Sequence, residues 1–305
     1  MYLNKHVIEE FRANNGKVGG MFEGASLILL NTTGARTGRP HTTPTVYLRD
    51  GNRYLVFGSN AGGPRHPHWY HNLLANPHLT VELGTEDGAV KPFAARAVPL
   101  EGEERDRYWE LQCSRDPGFR AYAEQTERTV PVVALHFLDL GANNPERNRM
   151  IGRQLVQHHS ELRAELRRVR AEIDRVLARK HPADLPEPED RPGADLASQL
   201  RRHCLTFCYA LQTHHTREDG SFTAFEKQFP HLAPAIARLR REHEAVERGL
   251  AEFEALVNGD GGELPADPAD AEKLRAELDR VVAGLEEHFA YEEQHLLPAL
   301  EAPLR

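Results

Sequence analysis

The stretch Thr213-His214-His215-Thr216-Arg217-Glu218-Asp219 places His214 and Glu218 four residues apart. In a helix that spacing sets an imidazole and a carboxylate on one face, where they can grip one metal ion, or hold one and bridge to a second. Alone the pair is weak evidence, because exposed His/Glu pairs on solvated helices are far commoner than ligand pairs. The surrounding pattern gives it weight. From Met150 onward apolar residues recur with the helical period, and four long amphipathic helices are expected at about 150–180, 195–218, 231–257 and 269–296. Connections rich in Pro, Gly and Asp at Pro182–Gly193 and Asn258–Pro268, and a break at Gly220–Pro230, separate them. Four antiparallel helices of this length make a four-helix bundle.

Each expected helix carries a histidine on its apolar stripe. His159 aligns with Leu155, Leu162 and Leu166, and His214 with Leu200, His203, Phe207 and Leu211, the stripe continuing to Glu218. His243 aligns with Ile236, Leu239, Val246 and Leu250, and Glu247 follows one turn later; His288 lies with Val281 and Leu285, with Glu292 one turn on and Glu293 beside it. One inward histidine is more often a satisfied core residue than a ligand. Four of them, two followed at i+4 by Glu, point to a metal centre, since buried carboxylates and imidazoles are costly unless paired or metal-bound. The His-plus-carboxylate mixture suits iron or manganese better than a thiolate-type zinc site. His215 is expected to face outward or stand behind the ligands. His203, Cys204 and Cys208 lie two to three turns from His214, too far for the same metal, and are read as core packing or support.

Before residue 139 the pattern changes. Apolar runs at Ala25–Leu30, Thr45–Leu48, Tyr54–Phe57, Leu79–Leu83, Ala89–Val98 and Val130–Leu138 suggest about six strands, with Asp50-Gly51 as a hairpin turn. Helical patterns occupy Val7–Phe11, Trp69–Ala75, Glu103–Cys113 and Phe119–Thr126. Tight turns between neighbouring strands point to an antiparallel barrel-like sheet rather than βαβ units. The expected fold class is therefore α+β and multidomain: a barrel over residues 1–140, a polar linker over 141–149, and an all-α bundle over 150–305.

The chain has 305 residues, a net charge of −8 and 17 histidines. That charge leaves no basic footprint for nucleic acid. No apolar run approaches the roughly 20 residues of a membrane span. The first residues lack the apolar core of a signal peptide, so a cytoplasmic protein is expected. Three cysteines do not make a disulfide framework.

Two Gly-rich stretches carry the binding chemistry of the first half. Thr32-Thr33-Gly34-Ala35-Arg36-Thr37-Gly38-Arg39-Pro40-His41-Thr42-Thr43-Pro44 offers glycines, hydroxyls and the cations Arg36 and Arg39, which suit an anionic, phosphate-bearing ligand. Gly58 to Asn72 adds a second turn, Arg65, and a helix start bearing Trp69, read as an exposed flat face for a planar ring.

With the opening Val7-Ile8-Glu9-Glu10-Phe11-Arg12-Ala13-Asn14, the Trp69-Tyr70-His71-Asn72-Leu73 run ending at Pro77, and Phe119, Tyr122, Thr126, Arg128 and Pro131, residues 4–138 resemble the deazaflavin (F420)-dependent nitroreductase family of split β-barrels. The resemblance implies coenzyme F420, with Arg36, Thr37, Arg39, Thr43, Pro44, Thr45 and Val46 along its tail and ring. Ser59, Asn60, Gly63, Pro64, Arg65 and Trp69 would close the site. His41 departs from the basic residue often found there. FMN is the alternative cofactor, because Arg36 and Arg39 suit either phosphate-bearing flavin, and haem is a further one. The deazaflavin carries the hydride chemistry and the protein orients it; Tyr70 and Tyr122 are the candidates for donating a proton to a reduced product. Split barrels often pair, so a homodimer is expected from the resemblance.

The helical half, about 150–300, resembles the hemerythrin-like (HHE cation-binding) family through His214-His215 followed by Glu218-Asp219, and through His288-Phe289-Ala290-Tyr291-Glu292-Glu293 with Leu297-Pro298 beyond. The implied ligands are His159, His214, Glu218, His243, His288 and Glu292, with Glu218 and Glu292 bridging two irons. Where a seven-ligand hemerythrin has a fifth histidine, this chain has Glu247, which either replaces it as a ligand or leaves a position open. The combined expectation is an F420H2-dependent oxidoreductase coupled to a di-iron centre that reduces O2 or performs O2-dependent chemistry. The alternative is an F420H2-dependent quinone or nitro-compound reductase whose helical half senses or binds O2 or iron.

Overall fold

The computed structural model describes residues 2–138, 145–177, 193–258 and 268–301. Six antiparallel strands close into a barrel in the order β1-β2-β3-β6-β5-β4. They are β1 (Leu27–Thr33), β2 (Pro40–Asp50), β3 (Arg53–Phe57), β4 (His78–Gly84), β5 (Val90–Pro99) and β6 (Val132–Phe137). Alternation of side chains along each strand explains why β1 and β3 read as continuous apolar runs: both of their faces are covered. Ile28, Leu30 and Val56 point into the barrel with Val81, Val133 and Leu135. Leu27 and Leu29 point outward against Val7 and Phe11 of α1 (Tyr2–Ala13). Leu55 and Phe57 meet Tyr108, Trp109 and Cys113 of α3 (Gly102–Arg115) and Phe119 of α4 (Gly118–Glu124). Gly51, at φ 58°, makes the β2–β3 hairpin turn.

Helix α2 (His68–Ala75) buries Trp69 and Leu73 in the barrel core. Trp69 is only 5% exposed, so the expectation of an exposed ring platform is overturned: the apolar barrel interior claims the indole.

The second half consists of α5 (Pro145–Leu177), α6 (Gly193–Gln228), α7 (Ala233–Asn258) and α8 (Pro268–Glu301). Their core follows the i, i+3/i+4 rhythm, with Leu162, Leu166, Val169 and Ile173 of α5 meeting Cys204, Phe207, Cys208 and Leu211 of α6. Leu250, Phe253 and Val257 of α7 and Leu278, Leu285 and Phe289 of α8 complete it. Cys204 and Cys208 are core residues, and burial pushes both thiols up to about 12.

Three boundaries differ from expectation. Helix α5 begins at Pro145, inside the expected linker, because proline is pre-organised for the first helical turn. Helix α8 runs through Pro298 to Glu301. Helix α6 does not break at Gly220 but continues to Gln228, keeping Phe222 and Phe225 buried. Two compact units exist, one made of the barrel with the α6 segment Thr216–Lys227, the other of the remaining helical residues. Within the first, Thr80 Oγ1 donates to Thr216 O at 2.8 Å and Thr223 Oγ1 to Pro92 O at 2.6 Å. A Cβ on Gly220 would stand 2.7 Å from Ala94 N and 3.0 Å from Phe93 C, so this glycine permits a close approach and is not a helix stop. The expected connections over 182–192 and 259–267, and linker residues 141–144, lie outside the described residues. Among the described residues no helix is long and apolar enough to cross a membrane.

Candidate metal centre and cofactor loops

Two groups of buried ligand atoms converge in the helical half. His159, His214, Glu218 and Glu292 form one, and His215, Glu218, His243 and His288 the other, the atoms of each lying within 4.8 Å of one another. Glu218 belongs to both. Helix α6 is continuous here, so His214, His215 and Glu218 reach the groups from consecutive turns of one rod. His159, on α5, and Glu292, on α8, are both 0% exposed, and His159 Nε2 lies 3.3 Å from Glu292 Oε2. Neither Glu292 oxygen receives a hydrogen bond from the described residues. His243 Nε2 and His288 Nε2 approach to 3.2 Å.

The outer ring nitrogens explain why the inner ones converge. His159 Nδ1 meets Glu293 Oε1 at 2.7 Å, and Arg163 Nη1 donates to the same oxygen at 3.3 Å. His288 Nδ1 meets Glu242 Oε2 at 2.9 Å, and Arg238 Nε donates to Glu242 Oε1 at 2.5 Å. An Nδ1–H given to a carboxylate leaves Nε2 as the lone-pair atom facing inward and makes it more basic. Buried imidazoles and carboxylates with these backing carboxylates fit iron: the donor set is hard-to-borderline and contains no thiolate.

The structure thus brings together six of the seven expected metal residues. The seventh, Glu247, is exposed, although it stands at the same i+4 spacing that keeps Glu218 and Glu292 buried. His215, expected to face away, is 5% exposed and sits among the ligand atoms. Glu293 backs His159 instead of lining the centre. His203 is half-buried and pairs with Glu172 at 2.7 Å, so it is neither core nor support for the centre. No spacing signal distinguishes His215 from an outward neighbour; only its burial does.

In the barrel, the stretch 32–44 is mostly strand, with a loop confined to 34–39. Thr43, Pro44, Thr45 and Val46 lie in β2 opposite Leu30, Leu29, Ile28 and Leu27. Buried Asn72 of α2 fixes the loop, accepting from Ala35 N at 3.0 Å and donating to Thr32 Oγ1 at 3.0 Å. Thr37 Oγ1 accepts from Arg39 N at 3.2 Å. Arg36, Arg39 and Arg65 are exposed and make no ion pair with the described residues, which leaves three cations available to an anion. Burial, followed by the charges of Arg39 and His68, pushes the His41 imidazole below its ordinary value.

The second loop bends sharply. Asn60, Ala61 and Gly62 all have positive φ, at 49°, 48° and 76°. Arg128 grips it: Nε donates to Gly63 O at 3.0 Å, Nη1 to Gly58 O at 3.0 Å and Nη2 to Ser59 O at 2.5 Å. Asn60 Nδ2 closes it onto Arg65 O at 3.0 Å, with Pro64 exposed between. Tyr70 is half-buried beside Trp69 and His66, and Tyr122 half-buried against Phe119. Sequence reasoning did not assign Asn72 or Arg128 a role, because a side chain that ties a loop through backbone groups, as Asn72 does at Ala35 N and Arg128 at three carbonyls, leaves no spacing signature.

Residues 3–136 match the family model for F420H(2)-dependent quinone reductase. The F420H(2)-dependent quinone reductase Rv1261c of Mycobacterium tuberculosis is 39% identical over 129 residues, which are 41% of this chain and 83% of that protein. The chain belongs to the F420H(2)-dependent quinone reductase family. The Rv3178 protein of the same species is 31% identical over 108 residues, or 35% of this chain and 87% of its own length. The quinone reductase part coincides with the barrel, while residues 150–300 match the hemerythrin HHE cation binding domain. This member of the family therefore joins a reductase barrel to a hemerythrin-type helical domain.

Proposed function

We propose that the chain is an F420H2-dependent oxidoreductase for a small-molecule acceptor, its helical domain holding a non-haem di-iron centre coupled to O2 reduction or O2-dependent redox chemistry. The observation that carries the di-iron reading is the sharing of Glu218 between two buried ligand groups, one with His159, His214 and Glu292 and the other with His243 and His288. When bound, F420H2 supplies a hydride and two irons supply a two-electron redox couple. The protein's own part is to hold and orient. Arg36, Arg39 and Arg65 offer charge to an anionic tail, with FMN as the alternative occupant of the same cations. Thr37, Thr43, Pro44, Thr45 and Val46 would lie along the cofactor, and Ser59, Asn60, Gly63 and Pro64 would form the loop that Arg128 shapes. Tyr70 and Tyr122 would be the hydroxyls that give a proton to product. The chain would act as a homodimer, the arrangement that its resemblance to split barrels implies.

Anaerobic mixing of F420H2 with the iron-loaded chain tests the coupling: loss of the diferric absorption supports it, and an unchanged spectrum refutes it. A second reading, a quinone reductase carrying an O2- or iron-sensing module, is favoured by one observation: the match spans 83% of the Rv1261c relative but only 41% of this chain, so the helical domain is an addition to that relative's plan. Equal F420H2 turnover in wild type and His214→Ala, with and without O2, would favour it.

A further inference from the structure

Helix α6 presents two adjacent imidazoles to the helical domain's core. Neighbours on a helix are separated by about 100°, so when one faces a buried centre the next ordinarily faces elsewhere. Here both are buried, His214 at 7% and His215 at 5% exposure. They part company at the centre: His214 joins the group with His159 and Glu292, His215 the group with His243 and His288. The His215 ring lies parallel to His243, centroids 4.2 Å apart and planes 11° apart, and edge-on to His288 at 5.2 Å. Helix α7 supplies one imidazole to that group, since Glu247 is exposed.

We propose that His215 is itself a metal ligand, completing the position that α7 leaves one donor short. The proposal rests on the di-iron reading above and refines it. The two positions are then unequal: His215, His243 and His288 at one, His159, His214 and Glu292 at the other, with Glu218 common to both. Helix α6 alone serves both ions, through His214, His215 and Glu218, so small rotations of this one helix would alter both sites together.

The test loads wild type, His215→Ala and His215→Gln anaerobically with ferrous iron. It reads bound iron per chain, the 57Fe Mössbauer spectrum, and helix content by circular dichroism. Wild type should bind two irons in two distinguishable environments. Each variant should keep one iron, or bind the second at least about tenfold more weakly, and free imidazole should restore the second iron to His215→Ala. Two irons with a wild-type spectrum in both variants would overturn the assignment. Should the variants lose helix content, anomalous scattering at the iron edge from crystals of the iron-loaded wild type decides: iron at bonding distance from a His215 nitrogen supports the proposal, and iron away from it overturns it. A wild type that takes up no iron would instead overturn the di-iron reading on which the proposal stands.

Discussion

Replacing Arg128 by methionine should cost F420 affinity without unfolding the barrel. The guanidinium is the fastener of the 58–63 loop, donating to the carbonyls of Gly58, Ser59 and Gly63. Hydrogen bonds from a charged donor are worth about 1.5 kcal/mol each at the lower end, which suits this half-buried side chain, so three supply roughly 4.5 kcal/mol. Against this stands the backbone. Asn60 and Ala61 hold φ at 49° and 48°. The pair costs about 2 kcal/mol, again at the lower end because asparagine tolerates this region. The net bias toward the observed loop is then about 2.5 kcal/mol. In Arg128→Met the strain is unopposed, and the observed conformation falls to a few per cent of the population. Apparent affinity scales with the competent fraction, so F420 should bind about 30-fold more weakly. Arg128→Lys should fall between, because one ammonium cannot span three carbonyls. The assay is a fluorescence titration of F420, with calorimetry to confirm that both variants unfold cooperatively. Binding of Arg128→Met within about twofold of wild type would refute the loop's role and the estimate together.

Other expectations follow from the same geometry. Glu242→Gln or Glu293→Gln, which weaken the acceptors behind His288 and His159, should lower iron affinity by about 10- to 100-fold in competition with a chelator; unchanged affinity would show that the backing carboxylates do not tune the ligands. Gly220→Ala forces a Cβ against the β5 backbone and should destabilise the chain by about 1–3 kcal/mol, read as a lower melting temperature; an unchanged melting temperature would contradict the close approach. Asp50 accepts from Tyr108 at 2.6 Å and from Arg53 at 3.0 Å, and these bonds hold its carboxyl below the ordinary 3.8. A depressed folded-state pKa means that its stabilisation is complete above the unfolded value and lost as pH falls through the folded one. Asp50→Asn should therefore show a flatter decline in melting temperature below about pH 4 than wild type.

The barrel and the bundle were legible because their periods differ. Leu27 to Leu30 and Tyr54 to Phe57 gave apolar runs that only strands covered on both faces explain, and Leu162, Leu166 and Val169 gave the helical stripe. The histidine faces were legible for the same reason: His159, His243 and His288 share stripes with leucines. What sequence could not show was set by long-range packing. Gly220 reads as a stop locally and is a contact point three-dimensionally. Trp69 reads as a loop-side platform, but the barrel interior is the larger apolar sink for an indole. Glu247 follows His243 at the same spacing that keeps Glu218 and Glu292 buried, yet it lies at the surface while His215 is turned inward, so packing and not spacing decides which of them reaches the centre. Arg128 acts through backbone carbonyls, which have no sequence identity to pair with.

The shared carboxylate tests the central claim most directly. If Glu218 bridges two ions, its loss removes a ligand from both groups at once. Iron content and the visible spectrum of the anaerobically loaded, then oxidised, full chain should show two irons and a diferric band in wild type, and in helical, folded Glu218→Ala less than one iron and no such band. Two irons retained by Glu218→Ala, or a wild type that binds none, would contradict the account.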